Sequence, residues 1–170
     1  MWTWYGQQRP DFADIPGPGQ ESVWDYPRPP ALDPCTQLVE VKAAGAVLAR
    51  SRNAVRVLET ASPPTVYIPP ADIRMDLLVP VGGSSYCEWK GAAQYWGLAA
   101  APGSPAVGWS YPTPSPAFTA IAGWLCFYPG RSECDVDGER VRPQEGGFYG
   151  GWVTDRIVGP WKGRPGTGGW

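Results

Sequence analysis

The sequence contains no histidine. Histidine is the usual general base near neutral pH and the commonest metal-binding side chain, so Ser-His-Asp and Cys-His catalysis and His-ligated zinc or iron are excluded within one chain. Any catalysis has to use Cys, Lys, Tyr, Asp or Glu. The four cysteines, at 35, 87, 126 and 134, form no Cys-x-x-Cys knuckle, and neither a thiolate zinc site nor structural disulfides are expected of them. Clusters of one charge are missing too: 14 Lys and Arg are interspersed with 16 Asp and Glu, for a net charge of −2. Nucleic-acid binding needs clustered cations, so no nucleic-acid partner is expected. No apolar run is long enough for a membrane span, and no basic segment followed by an apolar one opens the chain. The expectation is a soluble cytoplasmic protein with no membrane partner and no cofactor. No oligomeric state follows from these patterns.

What the chain has in abundance is glycine (22), proline (21) and aromatic residues, with 10 Trp, 8 Tyr and 4 Phe. The breakers forbid long helices, and the aromatics argue against disorder. A chain of 170 residues fits one domain that buries roughly 70% of its unfolded surface. These features predict an all-β fold, mainly antiparallel, with short strands and few short helical turns.

Residues 1–21 read as an irregular arm whose Trp2, Trp4 and Tyr5 dock on their own domain or on a partner. In Trp24-Asp25-Tyr26-Pro27-Arg28-Pro29-Pro30 the prolines predict an extended strip. It is either a structural strap or a pocket rim made by Trp24, Tyr26 and Arg28. From Leu38 to Arg50 a hairpin is expected around the turn Ala43-Ala44-Gly45, with Val41 against Val47 and Val39 against Ala49. Ser51 is placed to cap a helical turn through Ala54. Strands follow at Arg56 to Thr60 and Thr65 to Ile68, then a solvated turn with Asp72, Arg74 and Asp76.

The densest stretch is Tyr86-Cys87-Glu88-Trp89-Lys90-Gly91-Ala92-Ala93-Gln94-Tyr95-Trp96. As a strand, Tyr86 to Lys90 sets Cys87 and Trp89 on one face and Glu88 and Lys90 on the other. Gln94 to Leu98 and Val107 to Tyr111 are further strands. A meander is expected from Trp124–Tyr128 and 133–142, in which Asp137-Gly138 is a two-residue turn pairing Asp135 with Arg140 and Glu133 with Arg142. Cys126 and Cys134 would face each other across a three-residue turn and lie on opposite faces with a two-residue one. Trp109-Ser110-Tyr111-Pro112 echoes Trp24-Asp25-Tyr26-Pro27, and Trp161-Lys162-Gly163 echoes Trp89-Lys90-Gly91. The glycine- and aromatic-rich tail from Gly146 is expected to wrap the domain, giving a domain from 22 to 170 behind the arm.

Several blocks together resemble the domain-of-unknown-function family DUF427: Val23-Trp24-Asp25-Tyr26-Pro27-Arg28-Pro29-Pro30, Arg56-Val57-Leu58-Glu59-Thr60, Tyr67-Ile68-Pro69-Pro70, Cys87-Glu88-Trp89-Lys90-Gly91, Trp109-Ser110-Tyr111-Pro112, Val136-Asp137-Gly138-Glu139 and Gly147-Phe148-Tyr149-Gly150-Gly151-Trp152. The resemblance implies a single small β domain, β-tent-like or barrel-like. The β-tent folds include zinc-binding proteins and methionine sulfoxide reductases, but their zinc knuckles are missing here, so neither metal nor activity carries over. A label attached to the family hints at nucleotidyl transfer, for which Gly82-Gly83-Ser84 and Asp135-Val136-Asp137 offer the parts.

Two functions from different classes are weighed. The first is a binding module that holds a small organic ligand in an aromatic-lined pocket, with Tyr67, Trp89, Tyr95, Trp109 and Tyr111 as walls and Arg56, Glu59 and Lys90 as charged groups. The alternative is a histidine-free enzyme acting on a small molecule through Cys87, Lys90 and Glu59, with Glu88 as a second candidate base. Nucleotidyl transfer and a protein-interaction module built on the aromatic arm and tail rank lower. Against these stand plainer roles: Cys87 as a small buried hydrophobe, Lys90 as a surface cation over Trp89. Arg56 and Glu59, three apart in a strand, point to opposite faces and share a site only if the backbone bulges or coils there.

Overall fold

In the computed structural model of the chain, which covers residues 1–170, Asp137 and Gly138 form a two-residue turn with positive φ angles of 46° and 80°, as hairpin twist demands. The turn joins Glu133–Val136 to Glu139–Arg140 with Asp135 opposite Arg140, the register expected from the sequence. Asp137 has a structural task of its own, accepting from the backbone N–H of Leu38 at 2.8 Å and the Gln37 amide at 3.0 Å. Glu133 approaches Arg140 at 3.7 Å in place of Arg142. The chain leaves this sheet after Arg140, and Arg142 pairs with Val153 and reaches Asp155 at 3.0 Å.

The first hairpin forms with a different turn. Val39–Ala43 and Ala46–Ser51 are joined by Ala44 and Gly45, both at positive φ (50° and 76°). Val41 therefore faces Ala49, and Val47 faces Lys42 across a register shift. The shift is a bulge at Leu48, which lets Leu48 and Ala49 both be buried and turns Val47 to solvent. Ser51 caps no helix. Its Oγ accepts from Asn53 N and donates to Asp72, and the next strand, Ala54–Leu58, begins at once.

Three sheets enclose the core. One runs Glu139–Arg140, Glu133–Val136, Val39–Ala43, Ala46–Ser51; a second runs Leu125–Phe127, Gly108–Ser110, Gln94–Leu98, Leu78–Val81; the third runs Ala31–Cys35, Ala54–Leu58, Thr65–Tyr67. All their pairings are antiparallel, and the helical segments are short 3-10 turns. The fold is all-β, and its sheets do not close into a barrel. Ile68 bridges to Leu125, which ties the third sheet to the second. Val39, Val41, Leu48, Ile68, Leu125 and Phe127 are buried between the sheets, each stabilising by roughly 1.5–3 kcal/mol.

The expected meander does not form, because Leu125–Phe127 and Glu133–Val136 belong to different sheets. Cys126 lies opposite Trp109 and Cys134 opposite Val41, so no hairpin brings the two thiols together. All four cysteines are free. Burial pushes the Cys126 thiol well up and that of Cys134 up to about 12.

The arm and the tail make a second cluster on the domain. Trp24 is fully buried there with Val23, Tyr26, Ala61 and Ile157, and the rings of Phe12 and Trp170 lie 5.3 and 5.4 Å from it. The arm thus docks on its own domain. Val23–Asp25 is a 3-10 turn rather than an extended strip, with Ser22 Oγ accepting from Trp24 N. Arg28 is buried and donates to the carbonyls of Trp4, Thr60 and Trp170. Trp24, Tyr26 and Arg28 are therefore a strap, and none of them lines the aromatic cavity described below.

Candidate functional site

The strand expected over Tyr86 to Lys90 stops at Cys87. Tyr86–Cys87 pairs with Gly91–Ala92, and Glu88, Trp89 and Lys90 make the turn between them. Gly91 sits at φ 102°, a conformation open to glycine and strained for other residues. The expected alternation cannot apply inside a turn, and Cys87, Glu88, Trp89 and Lys90 all line one cavity.

That cavity measures about 390 Å³. Its walls are Tyr67 at the end of Thr65–Tyr67, Tyr95 on Gln94–Leu98, Trp109 on Gly108–Ser110, and Tyr111 and Tyr128 just beyond their strands. Distant segments complete it: Trp2 from the arm, Phe148 and Tyr149 from the glycine-rich loop, and Lys162 from the tail. Trp109 is held firmly. Its Nε1 donates to Tyr67 Oη at 3.1 Å, its ring lies 4.6 Å from that of Tyr128, and a Cβ at Gly150 would come within 2.3 Å of its Cη2. Tyr95 Oη bonds Ser85 Oγ at 2.7 Å. Burial raises the phenol pKa of Tyr67 and Tyr111 well above the usual value, and that of Tyr128 up to about 12. These walls are neutral at physiological pH and offer hydrogen bonds without charge.

Charge comes from four side chains. Lys90 and Lys162 are 7% and 6% exposed. The Lys90 ammonium lies 5.6 Å from the Tyr111 ring centre and 5.7 Å from that of Phe118, so it is buried over those rings instead of standing at the surface over Trp89. The Lys162 ammonium lies 4.4 Å from the Trp2 ring centre. Burial first, then Arg28, lowers the pKa of Lys162, with Glu59 and Glu88 opposing. Glu59 approaches Arg28 Nε at 3.7 Å, and Glu88 is exposed.

Of the residues singled out in the sequence, Tyr67, Trp89, Tyr95, Trp109, Tyr111, Cys87, Glu59 and Lys90 meet in this cavity. Arg56 does not. It lies opposite Asp33 on Ala54–Leu58 and ion-pairs with Glu21 and with Asp33 at 2.7 Å. Burial works against its charge, but the two carboxylates outweigh it and raise the guanidinium pKa. Glu59 falls after the strand ends, so strand parity does not govern the pair; it lines the cavity and Arg56 does not. Sequence reasoning missed Trp2, Tyr128, Tyr149 and Lys162 as site residues. Only the repeated Trp-Lys-Gly pointed to Lys162; Gly163, like Gly91, is at positive φ (133°).

Asp135 and Asp137 line no part of the cavity, and no three His, Cys, Asp or Glu side chains come close enough to share one metal ion. No helix is long and apolar enough to cross a membrane. Fold and site define a small all-β domain with one aromatic, lysine-bearing cavity. The chain belongs to the family described as "Domain of unknown function (DUF427)", whose model matches residues 31–142. Of the blocks that carried the resemblance, 23–30 and 147–152 fall outside the matched segment. A search of curated proteins gives no match.

Proposed function

We propose that this protein binds a small organic ligand in the cavity walled by Tyr67, Tyr95, Trp109, Tyr111 and Tyr128. One observation carries the reading: a space of about 390 Å³ bounded by aromatic rings, with a few polar groups at its margin. Small-molecule sites have this composition and fall in the range of about 300–1,000 Å³. Four unpaired thiols support a reducing, cytoplasmic setting. Intrinsic tryptophan fluorescence and thermal melting against a small-molecule library test the reading. A ligand should quench or shift emission saturably and raise the melting temperature, and Trp109→Leu should abolish both responses. A library that moves neither signal sinks it.

A second reading is favoured by a different observation. Cys87, Lys90 and Glu59 line the same cavity, the convergence that Cys/Lys/Glu chemistry on a small molecule requires. Iodoacetamide labelling of Cys87 across pH tests it. Half-maximal labelling at about pH 7 or below supports an activated thiol, and a midpoint near the ordinary thiol value of about 8.5 removes Cys87 as the nucleophile and favours the binding reading.

A further inference from the structure

Two ammonium groups open onto the cavity with nothing from the protein to accept their hydrogen bonds. Lys90 and Lys162 are both more than nine-tenths buried. No carboxylate lies within ion-pair distance of either, and neither Nζ donates to any oxygen; the groups near them are ring faces. Neither nitrogen is sealed in. The buried side-chain nitrogens and oxygens without a partner are Arg28 Nε and Trp89 Nε1. An ammonium carries three donors and loses hydration when buried, and a ring face compensates only in part. Such a group is complete when an anionic oxygen arrives.

The two lysines differ in their neighbours. Lys162 lines the cavity with Glu59 and Glu88, whose charges favour its protonated form, and feels the charge of Arg28, which is not a cavity residue. An incoming anion would meet carboxylates there. Lys90 sits over Tyr111 and Phe118 with no ion-pair partner. The phenol of Tyr111, whose ring lies beneath Lys90, is kept neutral by burial, so it offers a hydrogen bond to an anion without repelling it.

We propose that the cavity takes a small aromatic carboxylic acid as its anion, with the ring among Tyr67, Trp109, Tyr111 and Tyr128 and the carboxylate on the Lys90 ammonium. The assignment rests on the binding reading above and adds the ligand's charge and its anchor. Aromatic walls select a planar apolar body, and the unpartnered ammonium selects the anionic group over its neutral isostere.

The test titrates the full-length protein with benzoate, 4-hydroxybenzoate, 2-naphthoate and indole-3-acetate and with the four matching primary amides, by calorimetry and tryptophan fluorescence. At least one acid should bind about tenfold or more tighter than its amide. Lys90→Met should erase that preference by weakening the acids much more than the amides, and Lys162→Met should reduce it less. Amides that bind as well as the acids, or a preference that survives Lys90→Met, overturn the anion assignment and leave the binding reading standing. Silence from every acid and amide overturns the aromatic-acid assignment, and the binding reading is then decided by the library screen. If Lys90→Met does not fold, the acid-to-amide ratio of the unmodified protein decides alone.

Discussion

Two stretches of this chain share the pattern Trp-x-Tyr-Pro and end in opposite surroundings. Trp24 and Tyr26 lie in a filled cluster, where Trp4, Phe12 and Trp170 close around the Trp24 ring and its Nε1 donates to the Pro160 carbonyl at 2.9 Å. Trp109 and Tyr111 lie at the margin of a void: Tyr67 and Tyr128 support the Trp109 ring, and the cavity borders it. The same aromatic demand for burial is met in one case by chain termini and in the other by strands that leave space between them. Buried cations divide in the same way. Arg56 has Glu21 and Asp33 on its guanidinium, while Lys90 has only rings. The filled region spends its polar groups on one another; the open region keeps them available.

Removing the centre of the filled cluster should have the largest effect. Trp24→Ala should destabilise by about 3–5 kcal/mol, and Trp109→Ala by less, because part of the Trp109 ring already borders unfilled space. Urea unfolding of both variants checks this, and equal losses would erase the distinction between filled and open. Next comes the carboxylate that completes the satisfied cation. Glu21 accepts from Tyr26 Oη at 2.6 Å and from Arg56, so Glu21→Gln should cost about 1.5–3 kcal/mol at neutral pH. Burial alone would raise the Glu21 pKa, but the bonds from Arg56 and Tyr26 outweigh it and the folded value lies below the ordinary 4.5. A lowered folded pKa means that this contribution is present above pH 4.5 and is lost as pH falls through the folded value. The unmodified protein and Glu21→Gln should therefore converge in stability at low pH, and a gap that stays constant down the acid limb contradicts the assignment. The smallest effect is expected at the wall of the void. A Cβ on Gly150 would stand 2.3 Å from Trp109 Cη2 and 3.3 Å from Tyr128 Cδ1. Gly150→Ala should cost about 1–3 kcal/mol through overpacking, red-shift tryptophan emission and weaken any ligand response. An unchanged melting temperature and spectrum would mean that the rings are not held as described.

Much of the local structure was legible because it depends on adjacent residues. Asp137-Gly138 dictated its turn and the Asp135–Arg140 register, and glycine and proline density dictated short strands. The aromatic walls were legible individually, since Tyr67, Trp89, Tyr95, Trp109 and Tyr111 cannot all be left in water. Strand parity failed where the strand was too short to sustain it. Alternation predicts Cys87 and Trp89 on one face and Glu88 and Lys90 on the other, yet pairing ends after Cys87 and the turn brings all four residues to one space. A one-residue bulge at Leu48 likewise displaced Val47 from the pairing expected of it.

The sequence by itself determined an all-β chain without histidine chemistry, the hairpin at Asp137-Gly138 and a set of aromatics that had to be buried. These follow from backbone sterics, turn chemistry and side-chain type, which act over a few residues. Only the tertiary structure decided that Trp24 fills a cluster while Trp109 walls a cavity. It also decided that Arg56 is neutralised by Glu21 and Asp33, and that Lys162 joins Lys90 in one site. Those outcomes depend on contacts between residues far apart in the chain, and no local pattern encodes which remote partner will arrive or whether the space between sheets is filled.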